Sequence, residues 1–261
     1  MKIYDDNNTS ILDQIQDKNN INKHSISNLK DNKFNNPNME FKTEIIPEDN
    51  KRYDLTFKII VIGDSNVGKS CLTMRATRNY YEEFYSPTLG FEFFTLTIKI
   101  NDCYVKLQIW DTSGQETYNS LISSFYRCSS LAILAYSVDD KKSFDHLNFW
   151  LNEIKTQSNP DVIIFLIGNK VDLINNKVIS TEIAQNFVDN NNIFQFFETS
   201  AKTGYNAKNV FIEAAKELYH KHLKSKDNMT RQISMNSLSV DSITIKKDLK
   251  TKEEEKKKSC C

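Results

Sequence analysis

The stretch that decides the fold runs from Phe57 to Ser70 and reads Phe-Lys-Ile-Ile-Val-Ile-Gly-Asp-Ser-Asn-Val-Gly-Lys-Ser. Its apolar first half predicts a buried strand over residues 57–62, and a helix is predicted from Gly68 to about Asn79. The loop between them fits the pattern G-x-x-x-x-G-K-[ST], which requires a strand before it and a helix after it. Backbone N–H groups of such a loop surround phosphate oxygens at the helix N-terminus. The predicted phosphate-binding residues are Gly63, Asp64, Ser65, Asn66, Val67, Gly68, Lys69 and Ser70.

Apolar runs and helical patterns alternate on the C-terminal side of this loop. Further strands are predicted at 91–100, 104–110, 131–138, 162–167 and 195–197, and further helices at 142–157, 181–190 and 207–223. This order predicts the α/β class, with a mostly parallel six-stranded sheet and helices on both faces. Ligands of such folds bind at the carboxyl ends of the strands, so the loops after the strands should carry the chemistry.

The two ends of the chain differ in composition from its centre. Residues 1–52 are rich in asparagine and poor in aromatic residues, which predicts a disordered N-terminal extension. Residues 53–223 form the predicted domain, and residues 224–261 are predicted to be a flexible tail. The formal net charge is zero, which gives no general attraction to nucleic acid. The polar start predicts no signal peptide, and the default location is the cytosol.

Two later loops complete the predicted site. The first reads Asp111-Thr112-Ser113-Gly114-Gln115 and follows a strand, so the carboxylate of Asp111 is placed to bind Mg²⁺ and Gln115 to orient a water molecule. The second reads Asn169-Lys170-Val171-Asp172. A carboxylate at Asp172 accepts two hydrogen bonds from guanine, and adenine cannot supply that pair. Ser200, Ala201 and Lys202 are expected to close the other side of the base.

With these motifs in order, the chain resembles the Ras-like small GTPases over about residues 54–222, and a single P-loop G domain is the fold that this resemblance implies. It is most similar to the Rab branch. The strings that carry the similarity are Trp110-Asp111-Thr112-Ser113-Gly114-Gln115-Glu116, Thr88-Leu89-Gly90-Phe91-Glu92-Phe93, Phe125-Tyr126-Arg127 and the terminal pair Cys260-Cys261.

The resemblance implies a switch that binds GTP and GDP with Mg²⁺ and regulates vesicle traffic. It implies that Thr88 binds Mg²⁺ and the γ-phosphate with Ser70 and Asp111, that Tyr81 packs on the guanine edge, and that the Cys71 N–H contacts the α-phosphate. Hydrolysis would use Gln115, Lys69 and Thr88 and would be slow without a GTPase-activating protein. The implied effector surface comprises Tyr85, Ser86, Pro87, Thr88, Leu89, Gly90, Phe91, Glu92, Phe93, Trp110 and Tyr126.

The resemblance also implies an exchange factor, a prenyl-binding chaperone and lipid groups on Cys260 and Cys261. Two lipid chains hold a protein stably on a membrane, here at the cytoplasmic face of an intracellular or plasma membrane, with a cytosolic pool. The other cysteines, Cys71, Cys103 and Cys128, are expected to be small buried residues.

One departure from the family pattern leaves alternatives open. Ser113 stands where these proteins usually have alanine, beside the γ-phosphate, so its hydroxyl bears on the rate of hydrolysis. A GTP-binding scaffold with little hydrolysis is therefore a second hypothesis. A signalling GTPase of the Ras type is a third, although such proteins usually end in a single cysteine followed by three residues.

Overall fold

A computed structural model describes residues 41–47, 52–83, 86, 88, 90–113 and 125–229 of the 261-residue chain. Its strands are β1 (Thr43–Ile46), β2 (Leu55–Ile62), β3 (Phe91–Ile100), β4 (Cys103–Thr112), β5 (Leu131–Ser137), β6 (Ile163–Asn169) and β7 (Gln195–Glu198). Its helices are α1 (Lys69–Arg78), α2 (Lys141–Asp145), α3 (Leu147–Gln157), α4 (Thr181–Asn191) and α5 (residues 207–229), with a short 3₁₀ turn at Ile174–Asn176.

All the described strands join one sheet in the order β1-β3-β4-β2-β5-β6-β7. The pairs β4–β2, β2–β5, β5–β6 and β6–β7 are parallel, whereas β1–β3 and β3–β4 are antiparallel. The prediction of a mostly parallel sheet is confirmed. The predicted number of six strands was wrong, because β1 adds a seventh strand at one edge.

The additional strand lies within the segment that was predicted to be disordered up to residue 52. Thr43–Ile46 pairs antiparallel with β3, so that Ile45 lies opposite Ile98. Ile46 is buried. Ile45 and Ile46 give this short segment apolar surface, which the polar sequence around it lacks. The correction concerns these residues alone, because residues 1–40 lie outside the described part of the chain.

Residues just before β1 fasten the segment to the rest of the domain. The N–H of Lys42 donates to Oδ1 of Asn101 at 3.2 Å, and the N–H of Asn101 donates to the carbonyl of Lys42 at 2.9 Å. The ring of Phe41 packs edge-on against Tyr219 of α5, with 5.7 Å between the ring centroids. The N-terminal segment therefore contacts both the β3–β4 turn and the C-terminal helix.

The sheet separates two hydrophobic cores. Ile59 and Val61 of β2 face one core, which also contains apolar side chains of α1 and α5. Ile60 and Ile62 face the other core, which contains side chains of α3 and α4. Alternate residues of a strand point to opposite faces, so a strand covered by helices on both sides must be apolar throughout. The prediction of helices on both faces is confirmed.

Two helix boundaries and the burial of the cysteines differ from the predictions. The helix predicted at 142–157 is divided, because the His146 backbone (φ −80°, ψ −6°) ends α2 and precedes α3. The last helix continues to at least residue 229, so the tail is helical for several residues beyond the predicted domain end at 223. Cys128 is exposed, whereas Cys71 and Cys103 are only partly buried, so the expectation of three buried thiols was wrong.

Candidate functional site

The loop between β2 and α1 has the conformation that its glycines predict. A Cβ on Gly63 would lie 2.1 Å from the carbonyl oxygen of Ala135, and a Cβ on Gly68 would lie 2.4 Å from Nδ2 of Asn169. Asn66 has φ of 63°, the left-handed conformation that asparagine tolerates better than most residues. The loop can therefore lie closely against β5 and β6 only with glycine at its two ends.

The side chain of Lys69 crosses the inside of this loop. Its Nζ donates to the carbonyl oxygens of Gly63 at 2.9 Å and Asp64 at 2.8 Å, and the residue is 5% exposed. Burial lowers the pKa of Lys69 to about 8, although Asp111 and Asp64 act in the opposite direction. An anion beside this ammonium would favour its charged form, as a bound phosphate does.

Oxygen atoms from three separate segments meet next to Lys69. The Ser70 hydroxyl donates to Oδ2 of Asp111 and lies 2.7 Å from the hydroxyl of Thr88. Asp111 is fully buried, and burial raises its pKa to about 7 against the opposing effects of Lys69 and Ser70. Its second oxygen, Oδ1, has no hydrogen-bond partner among the described residues.

One carboxylate and two hydroxyls are donors of the kind that Mg²⁺ prefers, and the unpaired Oδ1 of Asp111 leaves a buried carboxylate oxygen in need of a partner. Within the described residues, no group of three or more histidine, cysteine or acidic side chains could hold a metal by itself. A cation next to Ser70 would therefore need further ligands from phosphate oxygens or water, as Mg²⁺ commonly does.

The loop after β6 is tied to the phosphate-binding loop through Asn169. Its Nδ2 donates to the carbonyl of Val67 at 2.9 Å. Its Oδ1 accepts from the Thr199 hydroxyl at 3.1 Å and from the Ala201 N–H at 3.3 Å. Asn169 is buried, and its side-chain amide connects the phosphate-binding loop with the loops after β6 and β7.

The carboxylate predicted to recognise guanine is held by the loop after β7. Oδ1 of Asp172 accepts a hydrogen bond of 2.5 Å from the Ser200 hydroxyl. This contact anchors one of the two carboxylate oxygens. Lys170 has φ of 66° and places its ammonium 4.0 Å from Asp139.

Arg75 of α1 was not predicted and connects α1 with the loop after β7. Its Nε donates to the carbonyl of Ala201 and its Nη2 to the carbonyl of Lys202, each at 2.8 Å. Its guanidinium carbon lies 5.8 Å from the centroid of Tyr81. Arg75 is 126 positions from Ala201, and no local pattern signals a contact over that separation.

These loops enclose a cavity of about 410 Å³, which is within the usual size of small-ligand sites. The predicted residues that line it are Ser65, Asn66, Gly68, Lys69, Ser70, Cys71, Tyr81, Thr88, Thr112, Ser113, Asn169, Lys170, Asp172, Ala201 and Lys202. Glu83 and Leu173 line it without having been predicted, and Ser86 had been assigned only to the effector surface.

The remaining predicted residues lie behind the lining or outside the described part. The carbonyls of Gly63 and Asp64 accept hydrogen bonds from Lys69. Asp111 accepts a hydrogen bond from Ser70, and Ser200 donates one to Asp172. Val67 is buried beneath the loop. Gly114 and Gln115 lie outside the described residues, as do Tyr85, Pro87, Leu89, Cys260 and Cys261.

Aromatic side chains form a patch beside the cavity. The aromatic patch consists of Phe91, Phe93, Trp110 and Phe125, with ring centroids 4.6–5.3 Å apart in the contacting pairs. Phe91 and Phe93 are each 45% exposed. Tyr126, predicted on this surface, is buried at 1% exposure in the core that contains side chains of α3 and α4, and its neighbour Phe125 packs on the patch instead. Successive residues of a helix point about 100° apart, so when Tyr126 points into the core its neighbour Phe125 points toward the patch.

Comparisons with known proteins agree on one family. A model described as the Ras family matches residues 58–220. The Ras-related protein RABF2a of Arabidopsis thaliana is 39% identical over 165 residues, covering 63% of this chain and 82% of the relative. RABF2b of the same plant is 40% identical over 161 residues, or 62% of this chain and 80% of the relative. The Ras-related protein Rab-1 of Theileria parva is 41% identical over 191 residues, or 72% and 86%.

Proposed function

The chain belongs to the Ras family of small GTPases, in its Rab branch, and on that premise we propose that it is a membrane-attached switch of vesicle traffic whose GTP-bound form recruits effectors. As a GTPase it binds guanine nucleotide and converts GTP and water to GDP and phosphate. The observation that carries the proposal is the convergence of the phosphate-binding loop, Thr88 and Asp172 on one cavity, with the aromatic patch beside it.

The phosphate end of the nucleotide would lie on the loop from Gly63 to Ser70. Lys69 is held by two carbonyl oxygens, so its ammonium is already directed across the loop before a phosphate arrives. The α1 helix begins at Lys69, and free N–H groups at a helix start favour an anion. These residues would neutralise the charge that develops on the phosphoryl oxygens.

Ser70, Thr88 and Asp111 would hold Mg²⁺ on the side of the phosphates, and the ion would supply charge neutralisation of the β- and γ-phosphates. The present contacts between these oxygens support this assignment, since the unpaired Oδ1 of Asp111 is a buried acceptor. Replacing Ser70 with alanine is expected to raise the Mg²⁺ concentration needed for half-maximal GDP retention. The matched control is Ser158→Ala, which removes a buried hydroxyl that does not line the cavity.

Gln115 would position the attacking water, as the family pattern implies. Single-turnover hydrolysis by the full chain and by Gln115→Leu tests this role, with Gln185→Leu on the exposed face of α4 as the control. We expect a rate at least about tenfold lower for the Gln115 variant alone. Equal rates in all three proteins would rule out the role of Gln115 in hydrolysis.

The base would lie between the loops after β6 and β7, where the Asp172 carboxylate would accept hydrogen bonds from it. Asn at position 172 exchanges one acceptor for a donor, so Asp172→Asn is expected to lose guanine affinity by about a hundredfold and to gain xanthine affinity. Binding of GDP and of xanthosine diphosphate should therefore be measured in parallel. Unchanged guanine preference in this variant would contradict the assignment.

The aromatic patch would be the surface that effectors contact. Phe91 follows Thr88 by three residues, so a change at the γ-phosphate is next to the patch in sequence. Phe93→Ala is expected to weaken binding of an effector and leave nucleotide affinity unchanged. Phe149, which is also apolar and lies 36% exposed on α3, provides the control variant Phe149→Ala.

Membrane attachment would use lipid groups on Cys260 and Cys261. Within the described residues, no helix combines the length and the apolar character that crossing a bilayer requires. Mass spectrometry of the C-terminal peptide from the cellular protein is the direct test, and two geranylgeranyl groups are expected. One farnesyl group on a shortened terminus would favour a Ras-type signalling protein, and unmodified thiols would contradict this mode of attachment.

A further inference from the structure

Ser113 lines the cavity, and none of the contacts described above uses its hydroxyl. The residue follows β4 directly and is 3% exposed. Its backbone N–H donates to the carbonyl of Gly90 at 2.9 Å, which fixes the backbone on which the side chain stands. Because Ser113 lines the cavity, its side chain borders the space in which a nucleotide would lie.

The Ser113 hydroxyl has no hydrogen-bond partner among the described residues. Burying a hydroxyl without a partner costs free energy, which a ligand acceptor would recover. The lining also contains the Lys69 ammonium and the hydroxyls of Ser70 and Thr88, each of which can donate a hydrogen bond to a ligand. A group that accepts hydrogen bonds from several donors at once is an anionic oxygen, as found on a phosphate.

The order of the strands indicates which phosphate this would be. The predicted base loops follow β6 and β7, the phosphate-binding loop follows β2, and Ser113 follows β4 on the far side of β2. A nucleotide with its base beside Asp172 and its phosphates on the β2 loop would therefore direct its terminal phosphate toward β4. This step rests on the base site proposed for Asp172.

We propose that the Ser113 hydroxyl donates a hydrogen bond to the γ-phosphate of GTP and thereby favours GTP over GDP. GDP has no γ-phosphate, so in the GDP complex the hydroxyl lacks this acceptor. Ser113 is then a residue that determines specificity between the two nucleotides, in addition to the loop contacts that both of them make.

The test compares the full chain with Ser113→Ala, which removes only the hydroxyl oxygen. Dissociation constants are measured for GDP and for guanosine 5′-[β,γ-imido]triphosphate, a GTP analogue that is not hydrolysed. Affinity for the analogue is expected to fall about tenfold, because hydrogen bonds to charged groups are the stronger ones, while GDP affinity changes less than about twofold. Ser158→Ala, which removes a buried hydroxyl outside the cavity lining, should change neither constant.

Equal changes for both nucleotides, or no change for either, would overturn the proposal. Ser113→Cys, with a weak donor of similar shape, should behave like the alanine variant, and a cysteine variant with full preference for the analogue would also contradict it. The Asp172→Asn variant keeps the two assignments apart. If Asp172→Asn retains guanine preference, the proposed base site is wrong. The role of Ser113 is judged separately, from the ratio of the dissociation constants of Ser113→Ala for GDP and for the GTP analogue.

Discussion

Nδ1 of His146 lies 2.7 Å from Oδ1 of Asp64, although 82 positions separate the two residues in the chain. The same oxygen accepts a hydrogen bond of 2.6 Å from the indole Nε1 of Trp150. His146 is the residue between α2 and α3, so the break in the helix presents its ring to the phosphate-binding loop. One carboxylate thus connects the loop to the face of the domain formed by α3.

Asp64→Ala is expected to lower the free energy of unfolding by about 1–2 kcal/mol, because the buried indole N–H of Trp150 and the imidazole of His146 lose a shared acceptor. Asp64→Asn keeps an acceptor oxygen and should lose less. Urea unfolding of the GDP complex measures both. An alanine variant as stable as the asparagine variant would contradict the role of this oxygen.

Asn169→Ala is expected to lower the free energy of unfolding by about 3 kcal/mol, because the buried carbonyl of Val67, the Thr199 hydroxyl and the Ala201 N–H lose their partner together. GDP should also dissociate faster, since two of these contacts position the loops of the cavity. Asn152→Ala on the exposed face of α3 is the matched control and should change stability by less than about 0.5 kcal/mol. Stopped-flow nucleotide release and urea unfolding provide the two measurements.

Cys128→Gly is expected to raise the free energy of unfolding by about 0.5–1 kcal/mol. Cys128 has φ of 61°, a left-handed conformation that costs an L-residue energy and that glycine adopts freely. The control is Asn192→Gly, at φ of 54°, where asparagine already tolerates the conformation and the gain should be smaller. Thermal unfolding distinguishes the two, and a destabilised Cys128 variant would show that the thiol makes a contact that outweighs the backbone cost.

Ile46→Ala is expected to lower the free energy of unfolding by about 2 kcal/mol, because its side chain is buried where β1 pairs with β3. Glu44→Ala, which removes an exposed side chain of the same strand, should leave stability within about 0.5 kcal/mol. A double-mutant cycle of Phe41 and Tyr219 should give a coupling of about 0.5–1.5 kcal/mol for the aromatic pair. Equal stability of the Ile46 and Glu44 variants would mean that the strand is not paired in solution.

The sequence predicted those parts of the site that depend on local pattern. The loop from Gly63 to Ser70 follows from strand and helix signals on either side of it, and Asp111 and Asp172 follow from their places after strands. Contacts between residues far apart in the sequence leave no such local pattern. The guanidinium of Arg75 and the imidazole of His146 have functions set by tertiary packing, and either residue reads as an ordinary helix residue from sequence alone.

The wrong predictions for residues 43–46 and for Tyr126 have a similar cause. An average over residues 1–52 concealed four residues with enough apolar surface to pair with β3. In the pair Phe125-Tyr126 both rings fit a surface or a core, and only the rotation of the helix decides which ring packs on the patch. Position within an element, rather than residue type, settled both cases.

The outermost described strands of the sheet, β1 and β7, are each only four residues long. Long open edges allow other chains to add by backbone pairing, which leads to aggregation. Pro47 follows β1 and has no N–H to offer a further strand. β1 pairs with Thr97–Ile100 of β3, so a protease that cut the chain just after Pro47 and released β1 would open this part of the β3 edge to other chains, and the N-terminal strand therefore also protects the protein from self-association.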